Sequence, residues 1–286
     1  MTFSWFIKYT TEFVGAALIV IFVNSLAAKL TKDSKHKNLI IGAGFGIGVF
    51  VSTLVFSGIS LSLFNPAYTL GLAVSGLFSW NQAWEYIIAQ VAGAIVGQLI
   101  VIAMQYKHFQ DMDDATQVLQ AFATIPASDD RSYGNRGLAM VQGAVTEFFA
   151  SFVYFFVSIG LLGYMASYAA SYYTSQASQS GTAATTTYKA TQTAMVQAGF
   201  TQGFGASTVV GSLLLGLLTF GLVWATGAAL NPARDFGPRL VHAFLPASAF
   251  SEAKDDSRWW YAWVPVVMPI IAAILAAALV KMMYMK

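Results

Sequence analysis

Two asparagines, each followed by the same two residues, are the side chains best suited to chemistry in this sequence. Asn65 and Asn231 both open the tripeptide Asn-Pro-Ala, and Arg234 follows the second copy. Asparagine is a strong helix N-cap and proline favours the first helical position, so each tripeptide predicts the start of a helix. A helix N-terminus carries roughly half a positive charge. An amide N–H at such a position can donate a hydrogen bond to the oxygen of a neutral polar molecule.

Long apolar segments surround these tripeptides. Of the 286 residues, 57% are hydrophobic and 10% are charged, whereas about 25% of a soluble domain is charged. A helix needs about 20 apolar residues to cross a bilayer. The segments that reach this length are 10–28, 39–61, 84–105, 138–164, 208–228 and 261–283. The segments 65–77 and 231–241 are too short, so the sequence predicts an all-α membrane protein with six spans and two half-helices.

The two halves of the chain repeat one another. The tripeptide Thr-Glu-Phe occurs twice and contains Glu12 in the first span and Glu147 in the fourth, and a short capped helix follows in each half. Three spans per half is an odd number, so the second half must be inverted in the membrane. Inverted repeats bring their broken helices together near the midplane.

We therefore expect a single domain over residues 1–286, with one repeat at about 1–110 and the other at about 138–286. The second half is longer because of the stretch 165–206, which is rich in Ser, Thr, Ala, Gln and Tyr and poor in charge. Such a composition predicts an inserted loop.

These features resemble the aquaporin and aquaglyceroporin family, the major intrinsic proteins, over the whole chain. The resemblance implies a homotetramer in the plasma membrane, with one pore per protomer and both termini in the cytoplasm. Asp235 after Arg234, and Pro265-Val266 in the last span, are similar to the glycerol facilitator branch. The expected function is a passive channel that admits glycerol, similar polyols, water and neutral lactic acid, and excludes ions and protons.

The resemblance also implies a constriction, whose positions can be counted from the tripeptides. They fall on Phe45, Thr219, Ala228 and Arg234. This set has one aromatic residue and no histidine, so it predicts a wide filter in which Phe45 forms an apolar wall and the threonine and arginine make polar contacts. The alternatives are that Phe45 only packs between helices and that Arg234 reaches to the surface, as we expect Arg239 to do.

Other residues would support the pore loops. In the family, the glutamates matching Glu12 and Glu147 accept hydrogen bonds from the loops that carry the tripeptides; a proton relay is the alternative. The remaining supporting residues implied by the resemblance are Pro66, Ala67, Pro232, Ala233 and Asp235. Leu63 and Tyr68 depart from the family, which commonly has histidine and a small aliphatic residue at these places.

The distribution of Lys and Arg conflicts with the implied orientation. The presumed outer loops contain Lys29, Lys32, Lys35, Lys37, Lys107, Arg131, Arg136, Lys254 and Arg258, and the presumed inner regions contain Lys8, Lys189, Lys281 and Lys286. The positive-inside tendency would place the first group in the cytoplasm. We keep the family orientation because two specific tripeptides outweigh a statistical tendency.

Several classes of function are excluded by composition. The chain has no cysteine, which removes thiol chemistry and cysteine metal sites. His36, His108 and His242 lack ligand spacing, so we expect no metal, no cofactor and no enzyme activity. The net charge of +2 does not favour nucleic acid. A coupled secondary transporter, which would need Glu12 or Glu147 for its coupling ion, and a mainly water-selective aquaporin remain as alternatives.

Overall fold

The computed structural model describes residues 4–30, 34–126, 136–179 and 206–284, and the regular structure in them is helical. The long helices are α1 (Trp5–Ala28), α2 (Lys37–Phe56), α4 (Trp80–Met104), α7 (Arg136–Gln179), α8 (Ala206–Thr226) and α10 (Trp259–Tyr284). All six contain an apolar stretch long enough to cross a membrane. The prediction of an all-α protein with six spans is confirmed.

Two half-length helices begin at the Asn-Pro-Ala tripeptides, as predicted. They are α3 (Pro66–Val74) and α9 (Pro232–Phe244). Asn65 is extended, with φ −150° and ψ 114°, and its side chain accepts a hydrogen bond from the Ala67 N–H. Asn231 does the same for the N–H groups of Ala233 and Arg234. Proline can start both helices because the first helical N–H has no partner within the helix.

Glycines let the long helices approach closely. A Cβ on Gly97 of α4 would lie 2.6 Å from the Ala17 carbonyl oxygen of α1. A Cβ on Gly46 of α2 would lie 2.6 Å from the Gly216 carbonyl oxygen of α8. Backbone contact of this kind is a main source of helix association in membranes.

The molecule has two ends, which we call the loop face and the terminal face. At the loop face, the short helices α5 (Tyr106–Gln110) and α6 (Ala115–Gln120) and the segment 245–258 enclose a second apolar core around Phe109, Phe122 and Phe250. At the terminal face, Lys281 near the end of α10 donates to the Ser75 carbonyl at the end of α3, at 2.7 Å.

The predicted loop 165–206 is wrong over its first part. Helix α7 continues to Gln179 and has 44 residues, which at 1.5 Å per residue is about 66 Å, against a hydrocarbon core of about 30 Å. Between Tyr164 and Gln179 the sequence has no Gly or Pro and several Ala and Gln. These residues have good helix propensity, so low hydropathy ended the membrane span without ending the helix. Residues 180–205 lie outside the described residues.

Candidate functional site

The two half-helices meet tip to tip in the middle of the protein. The side-chain amide of Asn65 donates to the Leu230 carbonyl at 3.0 Å. The amide of Asn231 donates to the Phe64 carbonyl at 2.9 Å. Each amide nitrogen has two N–H groups, so this reciprocal pairing leaves a second donor on each asparagine.

A buried carboxylate holds the loop before α3. Glu12 accepts hydrogen bonds from the backbone N–H groups of Leu63 at 3.1 Å and Phe64 at 2.8 Å. The Ser60 hydroxyl and the Gln90 amide donate to it as well. These backbone groups lie in an unwound segment and would otherwise have no partner, which is costly inside a membrane.

The loop before α9 is built in the same way. Glu147 accepts from the N–H groups of Ala229 at 2.8 Å and Leu230 at 2.7 Å. The residue before each asparagine is left-handed, with φ of 49° at Phe64 and 56° at Leu230. A non-glycine residue is strained in this region, so both loops depend on their carboxylates for support.

Two cavities lie between the loop face and the terminal face, beside the tips of the half-helices. The loop-side cavity has a volume of about 370 Å³, and Thr124, Gln142, Ala228 and Arg234 are among its lining residues. The central chamber has a volume of about 20 Å³, and its lining residues include Phe45, Asn65, Tyr68, Ser62, Thr219 and Asn231. Space of about 10–15 Å³ by this measure admits one water, so the central chamber is the narrow part.

The structure brings the four predicted filter residues to the boundary between these spaces. Arg234 and Ala228 line the loop-side cavity, and Phe45 and Thr219 line the central chamber. The Arg234 guanidinium carbon is 5.8 Å from the centre of the Phe45 ring. Arg234 is 4% exposed, so it does not extend to the surface.

Thr219 contributes less polarity than expected. Its hydroxyl donates to the Leu215 carbonyl at 2.8 Å, and the hydroxyl also forms a hydrogen bond with Tyr154. A hydroxyl has one donor, and here that donor is already used. The free donors at this boundary therefore belong mainly to Arg234, whose Nε has no partner among the described residues.

The expectation that Arg239 reaches the surface is wrong. Arg239 is 0% exposed, its Nε lies 2.9 Å from an Asp235 carboxylate oxygen, and it donates to the carbonyls of Ser257 at 2.7 Å and Thr124 at 2.8 Å. Asp235 and Arg239 are four positions apart on α9, so their side chains lie on the same face of the helix. The loops that contain Thr124 and Ser257 bury Asp235 and Arg239. No local pattern in the sequence indicates that these loops fold over α9.

Sequence reasoning also missed Thr124. Its hydroxyl accepts a hydrogen bond from Arg234 Nη1 at 2.8 Å, and its backbone N–H donates to Asp235 at 2.7 Å. Thr124 therefore contacts Arg234, Asp235 and Arg239 together. It lies in an irregular loop far from α9 in sequence, and a lone threonine there gives no signal.

Comparison with known protein families identifies the family of this chain. The family described as Major intrinsic protein matches residues 2–128 and 183–280, which is well over half of the chain. This chain belongs to the major intrinsic protein family. The family prediction made from the paired tripeptides is confirmed.

Other major intrinsic proteins match along nearly the whole chain. The glycerol facilitator-aquaporin gla of Lactococcus lactis subsp. cremoris is 42% identical, over 100% of both chains. The glycerol uptake facilitator protein of Streptococcus pneumoniae serotype 4 is 31% identical, over 93% of this chain and 94% of that protein. The X-ray structure of the aquaglyceroporin from Plasmodium falciparum superposes with a TM-score of 0.65 at 18% identity, covering 98% and 100% of the chains. That structure shows the shared fold.

Proposed function

We propose that this chain is a passive channel for small uncharged solutes, chiefly glycerol and similar polyols, together with water. The observation that carries the proposal is the pair Asn65 and Asn231, which meet across the inverted repeat and both line the central chamber. Their remaining amide donors can hold the oxygen of a neutral solute while it passes. Neutral lactic acid has similar size and polarity and belongs to the same solute class.

The preference for polyols rests on the boundary at Phe45. The Phe45 ring gives this boundary an apolar surface, and Arg234, whose guanidinium carbon lies 5.8 Å from the ring centre, gives it hydrogen-bond donors. A polyol has both a CH side and a hydroxyl side, so it fits such a surface. Ala228 leaves room beside the arginine. The names of the relatives, as glycerol facilitators, agree with this preference.

Ions and protons are disfavoured by the same elements. Both half-helices direct their positive N-terminal ends at the chamber, and Arg234 adds a full charge at its loop-side boundary. A cation would have to leave water and pass these charges in a narrow, water-poor space. An anion would lose its hydration in a chamber with room for about one water.

Coupled transport is not favoured. The buried acids that a coupling ion would need are Glu12 and Glu147, and both are engaged by backbone N–H groups of the pore loops. Asp235 is engaged by Arg239. The geometry of these carboxylates supports a structural role, so the pathway needs no second solute.

A stopped-flow assay on proteoliposomes tests the proposal. After a rise in external glycerol, vesicles with the channel should shrink and then re-swell, whereas an impermeant sugar should cause lasting shrinkage. Empty vesicles provide the baseline. Flux should be linear in the glycerol gradient and independent of a proton gradient. Early saturation, or dependence on a proton gradient, would support a transporter and contradict the channel.

We also propose a homotetramer in the plasma membrane with both termini in the cytoplasm, as the family resemblance implies. The chain has no cysteine, so single cysteines report orientation directly. A membrane-impermeant thiol reagent applied to whole cells should label Asp113→Cys at the loop face and leave Ser79→Cys at the terminal face unlabelled. The reverse pattern would favour the orientation indicated by the Lys and Arg distribution. Native mass spectrometry in detergent tests the tetramer.

A further inference from the structure

The inverted repeat gives the filter a counterpart on the other side of the asparagines. Tyr68 follows the first tripeptide as Arg234 follows the second. Thr53 precedes Asn65 by the same interval at which Thr219 precedes Asn231, and Ser62 corresponds to Ala228 in the same way. Equivalent positions in an inverted repeat face the axis from opposite sides of the membrane.

All three counterpart residues line the central chamber. Thr53, Ser62 and Tyr68 belong to its wall together with Asn65. They are buried, with exposed fractions of 4%, 7% and 5% respectively. They lie on the side of the asparagines toward the terminal face. Thr53 is near the end of α2, Ser62 follows α2 before Asn65, and Tyr68 is on α3, which ends at the terminal face beside Lys281.

Ser62 has an unused hydroxyl. Its oxygen has no hydrogen-bond partner among the described residues, although its backbone N–H donates to Ser60 at 3.0 Å. A buried polar atom normally has a partner, and Ser62 belongs to the chamber wall, so a turn of its side chain would give this hydroxyl a partner on a molecule in the chamber. Ser62 is also left-handed, with φ 52°, a conformation that a serine adopts only under the constraint of the surrounding loop.

The Tyr68 ring is fixed in place. Its centroid lies 5.6 Å from that of Phe155 and 6.5 Å from that of Tyr154, both in edge contact. The Tyr68 hydroxyl forms a hydrogen bond with Ser158. Because ring and hydroxyl are both held by α7, the ring has little freedom to move away from a passing solute. Fixed walls discriminate by size more sharply than mobile ones do.

We propose that Ser62 and Tyr68 form a second selecting site for polyols, between the asparagine pair and the terminal face. The Ser62 hydroxyl binds a hydroxyl of the solute, and the Tyr68 ring limits the width that can pass. Ser62 and Tyr68 carry no charge, unlike Arg234, so this site sorts neutral solutes by width and by one hydrogen bond. The inference rests on the proposed function and assigns part of the selectivity to residues outside the predicted filter.

Permeabilities to water, glycerol and xylitol, measured by stopped flow on the reconstituted full-length chain, test the proposal. Tyr68→Val should raise the xylitol-to-glycerol ratio about threefold or more, because it widens the chamber. Tyr9→Val makes the same change at the terminal face outside the chamber and should leave the ratio unaltered. Ser62→Ala should lower the glycerol-to-water ratio about threefold, the effect of one hydrogen bond, whereas Ser79→Ala should not.

If Tyr68→Val and Tyr9→Val have the same xylitol-to-glycerol ratio, Tyr68 does not limit the width of the solute. If Ser62→Ala keeps the glycerol-to-water ratio of the unmodified chain, the Ser62 hydroxyl does not bind the solute. If Tyr68→Val does not reach the membrane, Phe155→Leu is judged by the same ratio, because it removes a ring that packs against Tyr68 at 5.6 Å without itself lining the chamber. If the unmodified chain passes water but no glycerol, the proposed function fails by itself. The inference then predicts that Tyr68→Val admits glycerol, and it fails if glycerol is still excluded.

Discussion

Nη1 of Arg234 donates a hydrogen bond to the Thr124 hydroxyl at 2.8 Å, across 110 positions of the chain. The side chain of Arg234, at the boundary of the central chamber, is therefore held by a loop outside the membrane-spanning helices. The same threonine also contacts Asp235 and Arg239 through its backbone. The loop face thus determines where the guanidinium lies.

Thr124→Val should lower glycerol permeability about two- to tenfold relative to water. Valine keeps the shape of threonine and removes the acceptor, so Arg234 loses a hydrogen bond of about 0.5–1.5 kcal/mol and its donors are less well placed for the solute. Thr124→Ser restores the acceptor and should recover most of the loss. A glycerol-to-water ratio in Thr124→Val that matches the unmodified channel would show that the threonine does not position the arginine.

Asp235→Asn should destabilise the protein. Arg239 is fully buried, and removal of one partner of a buried ion pair costs about 3–5 kcal/mol because the other charge is left without compensation. The measurement is the thermal unfolding of the purified protein in detergent. Asp113→Asn, an exposed acid at the same face, should change stability by no more than about 0.5 kcal/mol. Equal melting temperatures for the two variants would contradict the role of the pair.

Glu147→Gln should also reduce stability. The carboxylate accepts from the N–H groups of Ala229 and Leu230 with separate oxygens. Glutamine has one acceptor oxygen, so one N–H must face the amide NH₂ group, at a cost of about 1–3 kcal/mol. Exposed Glu252→Gln is the control in the same unfolding measurement. If the flux of the unmodified chain depended on a proton gradient, and Glu147→Gln abolished that dependence while it kept full stability, the proton-relay alternative would gain support.

Ala228→Phe should slow glycerol and xylitol more than water. Ala228 lines the loop-side cavity beside Arg234, and a phenyl ring there would narrow the approach to Phe45. Ala103→Phe adds the same ring on the exposed side of α4 and should have no effect on permeability ratios. Equal slowing of all three permeants by Ala228→Phe would mean that the residue does not border the pathway.

The sequence was sufficient where the determinants are local or repeated. Asn65 and Asn231 cap their helices through hydrogen bonds from the N–H groups two residues later. The tripeptide alone is therefore enough to predict the start of each helix. Glu12 and Glu147 were recognisable because the same tripeptide occurs in both halves. The six spans follow from apolar length alone.

The burial of Arg239 could not be predicted from the sequence, because it depends on loops that fold over the helices. Arg239 carries the same charge in the sequence whether it is exposed or buried, and only the position of Thr124 and Ser257 decides between these outcomes. The extension of α7 to Gln179 was missed for a different reason. Low hydropathy predicts the end of a membrane span but not the end of a helix, because Ala and Gln favour a helix outside the membrane as well as within it.

The reciprocal bonds of the asparagines also constrain the order in which the molecule can be completed. The acceptor of Asn65 is the carbonyl of Leu230, 165 positions later. At roughly 5–20 residues per second, a ribosome needs roughly 8–33 seconds to supply it. During that interval Glu12 can already hold the loop before α3, but the Asn65 amide lacks its acceptor, so the two tips can pair only after the second half has been inserted.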